Sequence, residues 1–419
     1  MKKDNVKFAK SMSILSIGSI ISVVFLAIQH IALPYIFTPE EIGIKSVILA
    51  IPTACVGIVC GRYDLTLVYE KNEENVKPLL KLNLLLNLVV STLITLVSLL
   101  YFLIIETSYI QYWYLLPAIW IYLFVYGLTL TLNSYNNRYR DYKTIAKMHA
   151  FRTAAQCLGT VVLGLIFVYF LKIRSLSVLI LVVPYCVGMA CGLWSQSKGV
   201  RQDGKEIISI NSSKIKEVAK THRNQPLLSA PAILANALSY SLITIMINWF
   251  FGEEITGYYS LSITLLGLPI TLISSNLSKV YMKDAAKEYE TNGNFKSSFK
   301  KNFLFLSFIA VPMFFLMYFA APPICSWLFG SKWEIAGIYI KALALMFAFR
   351  FIATALSPGL FICGKQVAEL FIQVSLLVAT VIAGVLCAIF SFDAVGFLWL
   401  LCGLRSGVML IHVLIVWYY

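Results

Sequence analysis

Long apolar runs separated by short polar turns repeat along this chain, with one sustained interruption. Before the interruption the runs lie at Ser11–Ile36, Ile44–Cys60, Leu82–Ile105, Tyr109–Leu132, Ala154–Leu171 and Ser177–Trp194. After it come Leu227–Phe251, Gly257–Leu277, Phe303–Ala320, Ile335–Phe361, Val367–Phe390 and Val395–Trp417. Runs of roughly 17 to 25 apolar residues match a helix crossing a bilayer, whereas a barrel strand needs only about ten. Backbone polar groups in lipid must be satisfied within the segment, so the pattern predicts an all-α, polytopic membrane protein of about 12 transmembrane helices.

The interruption, Ser195–Gln225, carries Lys198, Arg201, Lys205, Lys214, Lys216, Lys220 and Arg223 against Asp203, Glu206 and Glu217. It reads as a cytoplasmic linker and hinge strap (195–225) between an N-terminal six-helix half (1–194) and a C-terminal six-helix half (226–419). An even number of spans makes the halves parallel, with substrate expected in a central cavity between them. The basic start (Lys2, Lys3, Lys7, Lys10) precedes a run too long for a cleavable signal, so a first membrane helix is expected there.

Composition supports lipid as the solvent. Hydrophobic residues make up 59% and charged residues 13%, with a mean hydropathy of +0.80. That leaves too little polar surface to cover a water-soluble globule. The net charge of +14 would suit nucleic acid if it were spread over one domain, but it is concentrated in short loops on one side of the helices, so no nucleic-acid partner is expected. With the N-terminus inside, 27 of the 34 Lys and Arg fall in inner segments and three (Lys172, Arg174, Lys332) outside. Both termini are therefore expected in the cytoplasm. The nine cysteines lie in or beside apolar runs without metal-ligand spacing, and neither disulfides nor a metal is expected.

The halves echo one another. Glu40-Glu41-Ile42-Gly43 opens the second run and Glu253-Glu254-Ile255-Thr256-Gly257 opens the eighth, each followed by a proline, Pro52 or Pro269.

Four cations lie inside predicted helices: Lys45, Lys341, Arg350 and Arg405. An Arg at a helix centre costs about 2.5 to 3.5 kcal/mol on insertion scales, so it faces a bundle interior, a watery cavity or a partner. Lys45 and Lys341, near outer ends, can also snorkel. Carboxylates at helix centres are not evident, since Asp64 and Asp284 lie toward inner ends and Asp393 in an outer turn. A cavity lined this way favours an anion such as a phosphate or pyrophosphate headgroup over a cationic drug. His30, in the first run, is a candidate proton-coupling group or a hydrogen-bonded packing residue. Walker A, HExxH and GxSxG are absent, which points away from an enzyme.

Four stretches resemble the bacterial polysaccharide or O-antigen flippases of the multidrug/oligosaccharidyl-lipid/polysaccharide exporter superfamily. They are Pro39–Gly43 with Gly61-Arg62-Tyr63-Asp64-Leu65 and Lys71-Asn72-Glu73-Glu74; Asn136–Tyr142; Thr256–Ser260 through Leu268-Pro269; and Leu328–Gly337 with Gly364-Lys365-Gln366. The resemblance implies alternating-access translocation of undecaprenyl-pyrophosphate-linked oligosaccharide repeat units across the cytoplasmic (inner) membrane, for O-antigen, capsule or exopolysaccharide. Coupling to a proton or sodium gradient is implied, with no other cofactor. Partners implied are membrane lipids and the polysaccharide polymerase and chain-length proteins. On this reading Arg350, Arg405, Lys341 and Lys45 hold the pyrophosphate, Arg62 and Asp64 form a gate pair, and His30 is a further coupling candidate. A drug or metabolite antiporter of the same superfamily, a membrane enzyme of glycan assembly and a lipid II flippase remain as alternatives.

Overall fold

The fold is known from a computed structural model that describes Gly18 and residues 21–418; no strand occurs among the described residues. The helices, in order, are α1 (Ile21–Ile36), α2 (Pro39–Cys55), α3 (Tyr63–Tyr69), α4 (Val76–Ile104), α5 (Leu116–Arg138), α6 (Tyr142–Leu163) and α7 (Ser177–Gly188). Four short helices follow, α8 (Leu193–Gln196), α9 (Lys198–Gln202), α10 (Gly204–Ser209) and α11 (Ser212–Thr221). The chain then continues through α12 (Ala230–Pro269), α13 (Ser275–Asn292), α14 (Lys296–Phe329), α15 (Glu334–Leu356), α16 (Pro358–Ile362), α17 (Gln366–Phe390) and α18 (Ala394–Tyr418).

Ten described helical stretches are long and apolar enough to cross a membrane. One of them, Gln225–Asn292, has 68 residues and turns at Gly252 (φ 84°, ψ −177°), so it supplies two of the expected crossings. The shorter apolar α1 lies where the first is expected. Helix α4 shows which solvent these helices face. Its buried positions include Asn83, Asn87, Ser91 and Ser98, while Leu85, Leu88, Val89, Leu93 and Leu96 point outward. Polar groups inside and aliphatic ones outside invert the pattern of a helix in water and suit one in lipid. Inside, the Asn87 amide donates to the Phe124 carbonyl (2.8 Å) and leaves no room for a side chain at Gly127.

The described residues form two compact units, those up to 37 with 48–230, and 38–47 with 231–418. In the first unit the polar stretch expected as a hinge strap is a docked element. Ile207, Ile215 and Val218 complete an apolar cluster with Tyr63, Leu67, Val76, Leu79 and Leu80. Around it, Tyr63 Oη donates to the Ala219 carbonyl (3.0 Å), and Lys81 Nζ donates to the carbonyls of Ile208 (2.7 Å) and Ile210 (2.8 Å). His222 Nε2 meets Glu70 Oε2 at 2.7 Å. Burial works to raise the Glu70 carboxyl, but the Asn72 N–H, His222 and Asn75 outweigh it and leave it below the ordinary carboxylate range. The sequence hid this because the apolar residues of α11 are few: Ile215 and Val218, three apart on one face.

In the second unit, residues 38–47 open α2 with a reciprocal capping box. The Thr38 N–H donates to Glu41 Oε2 (2.9 Å), and the Glu41 N–H donates to Thr38 Oγ1 (3.3 Å). This helix end packs backbone to backbone against α12. A Cβ on Gly43 would stand 1.9 Å from the Glu253 carbonyl oxygen, and one on Gly257 would stand 1.7 Å from that of Pro39. The two echoing motifs of the sequence are thus the two sides of one close contact, and the glycine in each makes it possible.

Candidate functional site

Two of the four membrane-embedded cations come together, on α15 and α18. The guanidinium carbons of Arg350 and Arg405 lie over the ring of Tyr240, from α12, at 4.0 and 4.2 Å from its centroid. Phe347 flanks Arg350 at 5.3 Å, and the fully buried Tyr259 lies within electrostatic reach of both arginines. Cation–π contact in a desolvated setting is worth about 2 kcal/mol, enough to hold each guanidinium in place but far below the cost of stripping its water.

The two arginines differ in what else they touch. Arg405 is 0% exposed. Its Nη1 donates to the Ser239 carbonyl (3.0 Å) and to Thr380 Oγ1 (2.6 Å), and its Nη2 donates to Ser239 Oγ (3.3 Å). Arg350 is partly buried and makes no hydrogen bond or ion pair with a described residue. No carboxylate pairs with either guanidinium among the described residues. Arg405 is therefore built into the helix packing, and Arg350 offers its donors.

The other expected site residues lie elsewhere. Lys341 shares α15 with Arg350 but is nine residues away, which at 3.6 residues per turn puts it on the opposite face, roughly 13 Å along the axis. Its ammonium rests 5.1 Å from the Tyr318 ring centroid. Lys45 is half-buried in the second unit's part of α2 and has a contact of its own. Arg62 adopts left-handed φ/ψ (63°, 10°) ahead of α3, and its Nε is buried without a hydrogen-bond partner. Asp64 is buried with Oδ1 likewise unpartnered; the two share an electrostatic environment without forming a direct ion pair. His30 lies partly buried and engaged on α1, in the first unit.

The sequence reading missed a carboxylate. Glu369, in the first turn of α17, sits with its Oε2 3.5 Å from His412 Nε2 on α18, their side chains 17% and 5% exposed. Gln373 donates to Glu369 Oε1 and accepts from the Asn236 side-chain amide of α12. In the first turn of the predicted run Val367–Phe390, Glu369 looks like an acid placed to complement the helix dipole. The signal that could have found it is the polar stripe Glu369, Gln373, Thr380, whose spacings of four and seven fall on one helical face.

A model of the family described as "Polysaccharide biosynthesis protein" matches residues 33–337. The chain belongs to this family. Searched against curated proteins, the sequence matches none. Among solved structures, the lipid II flippase MurJ in an inward closed conformation superposes with a TM-score of 0.73 at 12% identity, covering 96% of this chain and 86% of that one. A multidrug resistance MATE family transporter of the MOP superfamily, facing inward, gives 0.60 at 14% identity, with 96% and 93% covered. A MOP superfamily transporter from Pyrococcus furiosus, described as having a binding pocket of reverse polarity, gives 0.55 at 14%, with 97% and 92% covered. This polysaccharide biosynthesis protein therefore shares its fold with that flippase and those two transporters.

Proposed function

We propose that the chain is a flippase that carries undecaprenyl-pyrophosphate-linked oligosaccharide repeat units across the bacterial cytoplasmic membrane, by alternating access, for O-antigen, capsule or exopolysaccharide assembly. The observation that carries this reading is Arg350, a cation held inside the second unit over Tyr240, with its donors uncommitted and no carboxylate paired to it. A guanidinium presents a planar fork that matches phosphate oxygens bidentately. Arg405, locked to Ser239 and Thr380, adds a second positive charge and fixes the shared ring. Together they would stabilise a diphosphate headgroup while the sugars and the prenyl tail are bound elsewhere. Family membership supports a glycan pathway.

One observation favours a second reading, a cation-coupled drug or metabolite antiporter. Glu369 supplies the buried acid that a cationic substrate would want.

The test is export in a bacterial host deleted for its own flippase and carrying a matching glycan pathway, with and without this chain. Surface glycan and accumulated lipid-linked repeat units are scored. Restored glycan with cleared intermediates supports flipping; persistent intermediates at normal expression, together with resistance to cationic drugs, favour the antiporter.

A further inference from the structure

The buried acid and Arg405 are joined by a run of hydrogen bonds that passes once through the backbone of Asn236, and Arg405 shares the Tyr240 ring with Arg350. From Glu369 Oε1 the run goes to the Gln373 amide, and from Gln373 Oε1 to the Asn236 amide. Ser239 Oγ donates to the Asn236 carbonyl (2.7 Å), and Arg405 Nη2 donates to Ser239 Oγ (3.3 Å). Thr380, on the Glu369–Gln373 face of α17, accepts from Arg405 Nη1. His412 lies seven residues beyond Arg405 on α18, on the same face and roughly 10 Å away. Three helices thus contribute polar stripes: those of α17 and α18 reach from the Glu369–His412 pair to Arg405, and that of α12 joins Gln373 to Arg405.

At the far end, His412 Nε2 and Glu369 Oε2 face each other at 3.5 Å, both buried and neither with a hydrogen-bond partner. Two unpartnered atoms of this kind in a low-dielectric setting form a place for one proton, which would turn them into a charge-assisted hydrogen bond. Gln373, which bonds Glu369, is met from α12 by the neutral Asn236, and among the described residues Glu369 is the one charged group that acts on His412.

We propose that Glu369 and His412 are the proton-binding site of this transporter, and that the Gln373–Asn236–Ser239 chain links their proton to anion occupancy at Arg350 and Arg405. This deepens the proposed function and rests on it for the anion. Gaining a proton changes the charge on Glu369 and the pull on Gln373, the side-chain amides pass that change to Asn236, and the Asn236 backbone carbonyl carries it to the Ser239 hydroxyl that holds Arg405. Linkage makes the effect reciprocal, so an anion at the arginines must change proton affinity at the pair.

The experiment uses the purified full-length protein with inorganic pyrophosphate as probe. Calorimetry in buffers of different ionisation enthalpy counts the protons exchanged per pyrophosphate bound. Wild type and Glu369→Gln are expected to differ by close to one proton, with wild-type Kd changing up to about tenfold more per pH unit. Asn236→Leu, which cuts the chain but leaves the pair, should give the Glu369→Gln count. Equal counts in wild type and both variants overturn the proposal while leaving the anion site intact. A wild type that binds no pyrophosphate overturns the anion site itself. The protonation claim is then decided by a ligand-free readout, nitrogen-15 spectra of histidine-labelled protein, which has four histidines. The signal lost in His412→Gln should titrate within the pH range over which the protein stays folded, with a midpoint displaced by Glu369→Gln. A His412 that does not titrate there, or that ignores Glu369→Gln, overturns it.

Discussion

Gly257→Ala adds a single methyl group where the structure leaves no space for one. The new Cβ would stand 1.7 Å from the Pro39 carbonyl oxygen and 2.4 Å from its carbon, where ordinary contact begins near 3.4 Å. The obstacle is backbone, so no rotamer change relieves it. The Thr38–Glu41 capping box holds that backbone in place. The end of α2 must retreat from α12 by about 1.7 Å, breaking dispersion contacts along the whole crossing. Overpacking of this kind costs about 1–3 kcal/mol, and the lack of a flexible partner puts this case near about 3. At about 2–4 °C per kcal/mol for a unit of this size, the melting temperature should fall by roughly 6–12 °C. Gly267→Ala, on the same helix with nothing within 4 Å of its new Cβ, is the control and should be neutral. The assay is thermal unfolding of detergent-solubilised protein followed by size-exclusion fluorescence. Gly43→Ala meets the Glu253 carbonyl at 1.9 Å and should behave alike. Once one methyl has parted the helices the second costs less, so the double variant should lose less than the sum. Equal melting of Gly257→Ala, Gly267→Ala and wild type would refute the close-contact reasoning.

Other expectations follow from the same geometry. Arg350→Gln should weaken pyrophosphate binding by roughly 10- to 150-fold, the worth of one charge-assisted contact of about 1.5–3 kcal/mol, with melting little changed. Arg405→Gln should lower melting as well as binding, because Ser239 and Thr380 lose a donor inside the bundle; equal melting in the two variants would remove the distinction drawn between them. Glu70→Gln should loosen α11, read as faster tryptic cleavage at Lys214, Lys216 and Lys220 at neutral pH. Glu70 titrates below its ordinary value in the fold, so its contribution is complete above the ordinary carboxylate range and is lost as pH falls through the lowered value. The melting difference between wild type and Glu70→Gln should therefore be constant from pH 8 to about 5 and close below it.

Hydropathy reports where the lipid slab begins, which is why the helix centres were legible and their ends were not. Helix α6 starts at Tyr142, twelve residues before the apolar run, and α14 starts at Lys296, seven before it. Backbone hydrogen bonding carries a helix beyond the hydrocarbon edge as long as its side chains are soluble there. Arg350 and Arg405 were legible as residue types, because an embedded guanidinium is costly wherever it sits. Their meeting over Tyr240 depends on three helices distant in sequence, and the division of labour between them depends on Ser239 and Thr380. Lys341 was grouped with them on charge alone, and the 3.6-residue period separates it. Glu369 was passed over because an acid in the first turn of a helix reads as a dipole partner; only the arrival of His412 from α18 shows that it is buried.

The most direct measurement of the central claim is flipping by the purified full-length protein in proteoliposomes. A prenyl-pyrophosphate-linked oligosaccharide is placed in one leaflet and its arrival in the other is followed by a glycan-cleaving enzyme outside. The account predicts transfer by wild type and a loss of at least tenfold in Arg350→Gln, with Arg350→Lys between them because a point charge replaces the fork. Full transfer by Arg350→Gln at equal incorporation would contradict it.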